Sequence, residues 1–203
     1  QGIEEVGIYG ASYRTIEVIG TIPYMFAGIM LPLFTTNWLQ KNFDFFKKIS
    51  QKSFDLMIIL ALPLAIGTQF VAKEIISLIA GAEFSESGLA LQFLITSTAL
   101  LFISSIFSHL IIAIDKQKKL IGLYIFTSLS SLLLYFILIP KFSYLGASLV
   151  TIYSNILILL GVVYYVKKYS GFSPRLKIIG QSLLASLGMS LFLFIIPRTY
   201  YQN

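Results

Sequence analysis

Six long apolar stretches, separated by short polar connections, make up most of the chain. Each stretch has about the length that a helix needs to cross a hydrocarbon core of about 30 Å. Because lipid offers no hydrogen bonds to the backbone, spans this apolar are predicted to be helices. The predicted spans are approximately residues 15–37, 53–72, 88–113, 120–140, 146–166 and 178–197. The pattern predicts an all-α fold, in which residues 1–203 form a single polytopic transmembrane bundle of six spans.

The connections between these stretches alternate in charge. Eleven of the fifteen Lys and Arg residues lie in the first, third and fifth connections. They are Lys41, Lys47, Lys48 and Lys52, then Lys116, Lys118 and Lys119, then Lys167, Lys168, Arg175 and Lys177. The opposite side holds Arg14, Lys73, Lys141 and Arg198. Because Lys/Arg-rich loops stay in the cytoplasm, we expect a multi-pass membrane protein that enters its first span from outside and ends outside.

Two of the connections are long enough to hold helices of their own. The segment Trp38–Lys52 is predicted to be an amphipathic helix on the cytoplasmic surface, with a flexible basic loop as the alternative. Its apolar residues at helical spacing are Leu39, Phe43, Phe46 and Ile49. The segment Lys73–Ser87 is predicted to form a short helix at the outer interface that ends at Gly81.

Composition supports a membrane protein and argues against catalysis. Charged residues make up 12% of the chain, about half of the roughly 25% that is typical of soluble domains. The net charge of +6 follows from the basic inner loops, so the expected partner is the lipid bilayer and not nucleic acid. The sequence has no Cys, a single His, and neither an HExxH nor a G-x-S-x-G motif. We therefore expect no enzyme activity, no metal and no cofactor.

Polar residues form stripes on several predicted spans. The stripe of the fourth span is Tyr124, Ser128, Ser131 and Tyr135; that of the third is Ser97, Ser104 and Ser108, beside Ser105 and His109; that of the fifth is Ser148, Thr151 and Asn155. One interpretation is a water-filled cavity in which Tyr124, Ser128 and Asn155 bind substrate. The other is close helix packing, with hydroxyls bonded across the interface or to their own helix. In the sixth span, Ser182, Ser186 and Ser190 predict a packing face.

Ionisable residues within the spans are few. Arg14 and Glu17 lie three residues apart near the outer end of the first span, so they can pair on one helix face. Intramembrane ionisable residues are candidates for function, and both are predicted to bind substrate. The alternative is that Arg14 simply extends its side chain to the membrane surface.

Four segments, spread over nearly the whole chain, carry a resemblance to a known family. They are EEVGIYGASYR (Glu4–Arg14), KEIISLIAGAEFSES (Lys73–Ser87), LIIAIDKQKK (Leu110–Lys119) and LIPKFSYLGASLVT (Leu138–Thr151). In this order they resemble the oligosaccharide flippases of the multidrug/oligosaccharidyl-lipid/polysaccharide exporter superfamily. The first resembles the segment that leads into a helix of the family's second half, and the last resembles an outer hairpin of the family.

The resemblance implies a MATE-like transporter whose two lobes open alternately to each side of the membrane. It implies that the substrate is a polyprenyl-diphosphate-linked oligosaccharide, moved across the inner membrane for surface polysaccharide biosynthesis. Arg14 aligns with the arginine of the family's Tyr-Arg segment, and Arg is a natural partner of a diphosphate. The main cations that bind the headgroup are then expected in the other lobe.

The first residues of the chain read as the middle of a longer protein. The resemblance places them just after the first helix of the second lobe, so seven spans are expected to precede Gln1, and the missing N-terminal lobe is an expected partner. Two other functions stay open. One is a small-molecule or drug exporter of the same superfamily, which an acidic, aromatic cavity would favour. The other is a non-transporting membrane scaffold, in which the polar stripes would be tightly packed and dry.

Overall fold

The computed structural model describes the backbone of residues 3–195 and the side chains of residues 7 and 9–191. The five helices are α1 (Ile3–Leu39), α2 (Phe43–Ala80), α3 (Gly88–Ala113), α4 (Leu120–Ser170) and α5 (Lys177–Ile195). Short 3-10 turns cover Ala82–Ser87 and Gln117–Lys119. Residues 3–195 contain no β-strand, which confirms the all-α prediction for this part of the chain.

Four helical segments are long and apolar enough to cross a membrane: Tyr9–Leu39, Phe43–Ala80, Ala82–Ala113 and Gln117–Ser170. The outer surface of the bundle agrees with a lipid environment. Large apolar side chains lie on it, among them Ile29, Phe136 and Leu184, each at least 73% exposed. In water such a surface would drive aggregation, whereas in lipid its exposure costs nothing.

Helix α3 lies at the centre of the bundle and packs against α1, α2 and α4. More than half of its apolar stretch is buried, against a third or less in the other membrane-length helices. One hydrophobic core, which includes Phe46, Phe107 and Phe172, fills the end of the bundle where the three basic connections meet. We call this the basic end. A second core, around Ile76 and Leu94, fills the opposite end.

Helix α4 is folded into an antiparallel hairpin. Its backbone breaks at Ser143, where φ is 49° and ψ is −130°. The hydroxyls of Ser131 and Ser154 hydrogen-bond at 2.7 Å, although a straight helix would hold these residues about 35 Å apart. A Cβ on Gly146 would overlap the carbonyl of Leu138 on the other arm. The two arms, residues 120–142 and 144–170, therefore run side by side, and their bend lies between the predicted fourth and fifth spans.

The separate surface helix predicted at Trp38–Lys52 is wrong, and so is its alternative of a flexible loop. Helix α1 runs to Leu39, a tight turn follows, and the basic residues after it belong to the first turns of α2. Phe46 is fully buried because its ring packs at 6.2 Å from Phe34 and at 5.2 Å from Trp38. Phe46 and Ile49 on the apolar face of this segment are thus buried in the bundle, whereas Leu39 and Phe43 stay exposed.

At the opposite end of α2, the predicted helix end is confirmed. The helix kinks at Val71, where φ is −124° and ψ is 19°, and then continues to Ala80. Gly81 follows with φ at 104°, a conformation that side chains disfavour and glycine accepts. The helix predicted within Lys73–Ser87 is thus the last part of α2, followed by the 3-10 turn Ala82–Ser87.

Helix α5 packs on α2 through small residues, as its sequence predicts. Ser182, Ser186 and Ser190 are all at least 94% buried. The Ser182 hydroxyl donates to the carbonyl of Ile58 at 3.4 Å, and a Cβ on Gly67 would come within 2.9 Å of the Met189 methyl group. The end of the predicted sixth span, beyond Ile195, lies outside the described residues.

Candidate functional site

A groove of about 330 Å³ lies between α1, α3 and the second arm of α4. Its volume is in the range of small-molecule sites. We call it the α1–α3–α4 groove. Its lining residues are Tyr13, Ile16, Glu17, Gly20, Thr21, Tyr24, Ser97, Thr98, Leu101, Thr151 and Asn155. Polar side chains from three separate helix segments thus converge on one surface.

Asn155 joins two walls of this groove. Its Nδ2 donates to the Ser97 hydroxyl at 2.6 Å and to the Ser97 carbonyl at 3.4 Å. Ser97 is 1% exposed and Asn155 is half-buried, so the contact lies at the floor of the groove. The stripes predicted on the third and fifth spans therefore meet, and they meet at this pair.

Glu17 and Arg14 lie at one side of the groove on α1. The Glu17 carboxylate lines it, whereas Arg14 is not among the lining residues. The Nη1 atom of Arg14 lies 4.0 Å from Oε2 of Glu17, and the two side chains are 86% and 59% exposed. The predicted pairing on one helix face is confirmed. An exposed pair contributes little to stability, so both groups remain available to a ligand or to a partner surface.

The predicted stripe of the fourth span divides between two environments. Ser131 turns into the hairpin and bonds Ser154, while Tyr124 is 39% exposed and Ser128 is also exposed. Neither Tyr124 nor Ser128 lines the groove. The structure therefore brings Glu17 and Asn155 to one groove, and it places Arg14, Tyr124 and Ser128 outside its lining.

Two hydroxyls of the α3 stripe, those of Ser104 and Ser105, serve packing. Ser104 and Ser105 donate to carbonyls three residues back, at 3.2 and 2.9 Å. His109 bonds the Ser105 carbonyl through Nδ1 at 2.8 Å. For these residues the packing interpretation is confirmed, because they bond carbonyls of their own helix and Ser105 also reaches the Pro23 carbonyl of α1 at 3.4 Å.

The contribution of α1 to the groove was not predicted from the sequence. Tyr13, Thr21 and Tyr24 flank Glu17 at helical spacing, so one face of α1 supplies much of the lining. Tyr9 extends this face, because its ring stacks on Tyr13 at 5.7 Å. The spacing of these aromatic and polar residues, four or three positions apart, was a signal that could have been found.

Within the described residues, no three His, Cys, Asp or Glu side chains come together in a group that could hold a metal ion.

Comparisons with known proteins give one informative similarity. No family model matches the chain. It is 27% identical over 165 residues to a protein named capsular polysaccharide biosynthesis protein CapF, from Staphylococcus aureus. The aligned region covers 80% of this chain and 41% of that protein. The chain thus spans about two-fifths of the length of this relative, and the similarity is compatible with a role in polysaccharide biosynthesis.

Proposed function

We propose that this chain is part of a membrane flippase that moves a polyprenyl-diphosphate-linked oligosaccharide across the inner membrane for surface polysaccharide biosynthesis. The observation that carries the proposal is the α1–α3–α4 groove, in which polar side chains from three helix segments converge within a bundle of membrane-length helices. The similarity to a capsular polysaccharide biosynthesis protein supports the choice of substrate class. The activity requires no bond chemistry.

The chemistry of the groove suits a sugar headgroup. Burying the hydroxyls and charges of such a headgroup in hydrocarbon is prohibitively costly. Thr151 and Asn155 carry groups that exchange hydrogen bonds with hydroxyls, and Tyr13 and Tyr24 add flat rings with a polar tip. A headgroup in the groove would keep its polar contacts while its lipid tail stayed in the bilayer.

Arg14 is the proposed diphosphate contact. Its guanidinium is largely exposed beside the groove, held by a long contact to Glu17. A planar, permanently charged fork binds phosphate oxygens in pairs. Substrate would draw Arg14 away from Glu17, since a doubly hydrogen-bonded phosphate outcompetes an exposed carboxylate at 4.0 Å.

In this proposal the two arms of α4 cross the membrane separately. Each arm exceeds the ~20 residues that a span requires. With α1, α2, α3 and α5 they make the six spans that the sequence predicts, and these belong to one lobe of a two-lobed, MATE-like transporter. The groove would then face the other lobe and open alternately to each side of the membrane.

A second candidate function is export of a cationic small molecule. Among the described residues that line the groove, Glu17 is the charged one, and Tyr13 and Tyr24 are aromatic. An acidic, aromatic surface attracts cations. This composition is the reason to test both substrate classes side by side.

The test is reconstitution of the full-length protein into vesicles that contain a lipid-linked oligosaccharide. We expect an impermeant glycosidase to digest nearly all of the labelled lipid, because the inner-leaflet half is continually moved outward. In protein-free vesicles, digestion should stop when about half of the labelled lipid has been cleaved. If digestion also stops at half with protein present, while a cationic dye is transported, the exporter is the correct function. If neither moves, the chain belongs to a scaffold.

A further inference from the structure

A second cavity, of about 460 Å³, lies at the basic end of the bundle. One wall is the first turns of α2, and the other is the connection between α4 and α5. We call it the basic pocket. Its charged lining residues are Asp44, Lys47, Lys48, Lys52 and Arg175. Four basic side chains thus surround one cavity with one carboxylate among them.

The two walls of the basic pocket are fixed to each other. The Gln51 side chain accepts a hydrogen bond from the Arg175 backbone nitrogen at 2.8 Å and donates one to the Arg175 carbonyl at 3.2 Å. Its Nε2 also donates to Asp55 at 2.7 Å. The connection is anchored a second time by Phe172, which is 4% exposed and stacks on Phe107 at 6.3 Å. The pocket is therefore a built cavity between packed elements.

The positive charge of the four basic side chains in this pocket exceeds the negative charge of the one carboxylate, Asp44, that lines it. In the part of the chain that the structure describes, none of Lys47, Lys48, Lys52 and Arg175 forms an ion pair; the recorded pair is Arg14–Glu17, on another surface. Asp55, the nearest further carboxylate along α2, is bonded by Gln51. Like charges gathered without partners repel one another, and a bound anion would relieve that repulsion.

We propose that the basic pocket binds the phosphate group of an anionic lipid at this membrane surface. Lys and Arg are the usual partners of phosphate oxygens. Basic pockets between membrane helices on the cytoplasmic side commonly hold such headgroups. Soluble phosphates share this chemistry, so the experiment must separate the two sources. The proposal does not rest on the transport function, because the pocket and the α1–α3–α4 groove share no residue.

The experiment measures lipid binding to the full-length protein in neutral detergent. Phosphatidylglycerol is titrated into the protein, and binding is measured as the rise in melting temperature. The test variant is Lys48→Gln/Arg175→Gln. The control is Lys116→Gln/Lys118→Gln, which removes the same charge from exposed residues of the basic end outside the pocket. We expect binding to weaken roughly thirty-fold in the test variant and to be unchanged in the control. Phosphatidylcholine should bind to neither.

A charge-preserving variant, Lys48→Arg/Arg175→Lys, should keep most of the binding and so separates lost charge from lost folding. Equal losses in the test and control variants would mean that surface charge alone attracts the lipid, and would overturn the pocket. No loss in the test variant would overturn it as well. Sodium pyrophosphate tests for a soluble ligand. If it stabilises the protein as strongly as phosphatidylglycerol, with the same dependence on Lys48 and Arg175, the pocket binds soluble phosphates and the proposal of a lipid ligand is wrong.

Discussion

Asn155 shows what a single polar side chain does inside an apolar bundle. Its amide joins the second arm of α4 to Ser97 of α3. An unsatisfied amide in such surroundings would be costly, so the contact selects one relative position of the two helices. Ser104, on the same helix as Ser97, bonds its own backbone instead and therefore makes no such selection.

The first prediction concerns this contact. A double-mutant cycle of Ser97→Ala and Asn155→Ala should give a coupling free energy of about 0.6 to 1.7 kcal/mol, the range measured for hydrogen bonds between membrane helices. Unfolding of the full-length protein in detergent supplies the four free energies. The matched cycle of Ser104→Ala with Asn155→Ala should show coupling near zero. Equal coupling in both cycles would contradict a specific contact.

The second prediction concerns Arg14. In a strain that depends on the full-length protein, Arg14→Ala should lower surface polysaccharide about tenfold, with normal protein abundance, because the exposed side chain contributes to substrate binding and not to folding. Arg14→Lys should restore part of the export, since it keeps the charge and loses the fork. Lys141→Ala, an exposed cation elsewhere in the chain, is the control. Normal surface polysaccharide in the Arg14→Ala strain would show that Arg14 only extends its side chain to the membrane surface and does not contribute to export.

At the scale of the element, the α4 hairpin depends on close approach between its arms. Gly146 lies against the backbone of Leu138, and Gly161 lies against the side chain of Leu123. Glycine allows this approach because it has no Cβ. Two further glycines have no close neighbour at the Cβ position. A Cβ on Gly122 of α4 would meet nothing within 4 Å, and Gly171, just after α4, ends the helix with φ at 65°.

The third prediction compares two glycines of α4. Gly146→Ala should destabilise the protein by about 1 to 3 kcal/mol, because its methyl group would force the arms apart. Gly122→Ala should be neutral or stabilising, since alanine favours a helix by about 1 kcal/mol where space permits. Thermal unfolding of both variants in the same detergent measures the difference. Equal stability of the two variants would argue against the hairpin geometry.

At the scale of the whole molecule, the basic residues separate by position along the bundle axis. The first and fifth basic connections touch through Gln51 and Arg175. At the opposite end, the Ser12 hydroxyl donates to the Ser87 carbonyl at 2.6 Å. Basic connections that are distant in the sequence therefore lie together at one end of the described bundle, and the positive-inside rule predicts that this end faces the cytoplasm.

The fourth prediction is this orientation. The chain has no Cys, so single cysteines can be introduced without background. In intact cells, Gln117→Cys and Ser173→Cys should resist an impermeant thiol reagent, and Ala82→Cys and Ser85→Cys should react. All four should react after the membrane is permeabilised. Ser50 is unsuitable for this test because it is fully buried. The reverse labelling pattern would refute the proposed orientation.

The sequence alone determined the helical class, the membrane-length apolar character of helices α1 to α4, the basic end, the helix stop at Gly81 and the packing face of α5. Each of these follows from local or periodic features. Apolar length decides whether a segment can span a membrane, glycine decides where a left-handed residue is tolerated, and small residues spaced four apart always lie on one helix face.

Only the tertiary structure decided which faces meet. Periodicity places Phe46 and Ile49 on one side of α2. The same periodicity would arise whether that side met lipid or α1. The sequence pattern therefore could not exclude the separate surface helix, which was wrong. The stripe of the fourth span was read correctly as one face, yet Ser131 is enclosed by the other arm while Ser128 is left exposed. A pattern along one helix fixes the direction of its side chains, and the partner in that direction depends on helices distant in sequence.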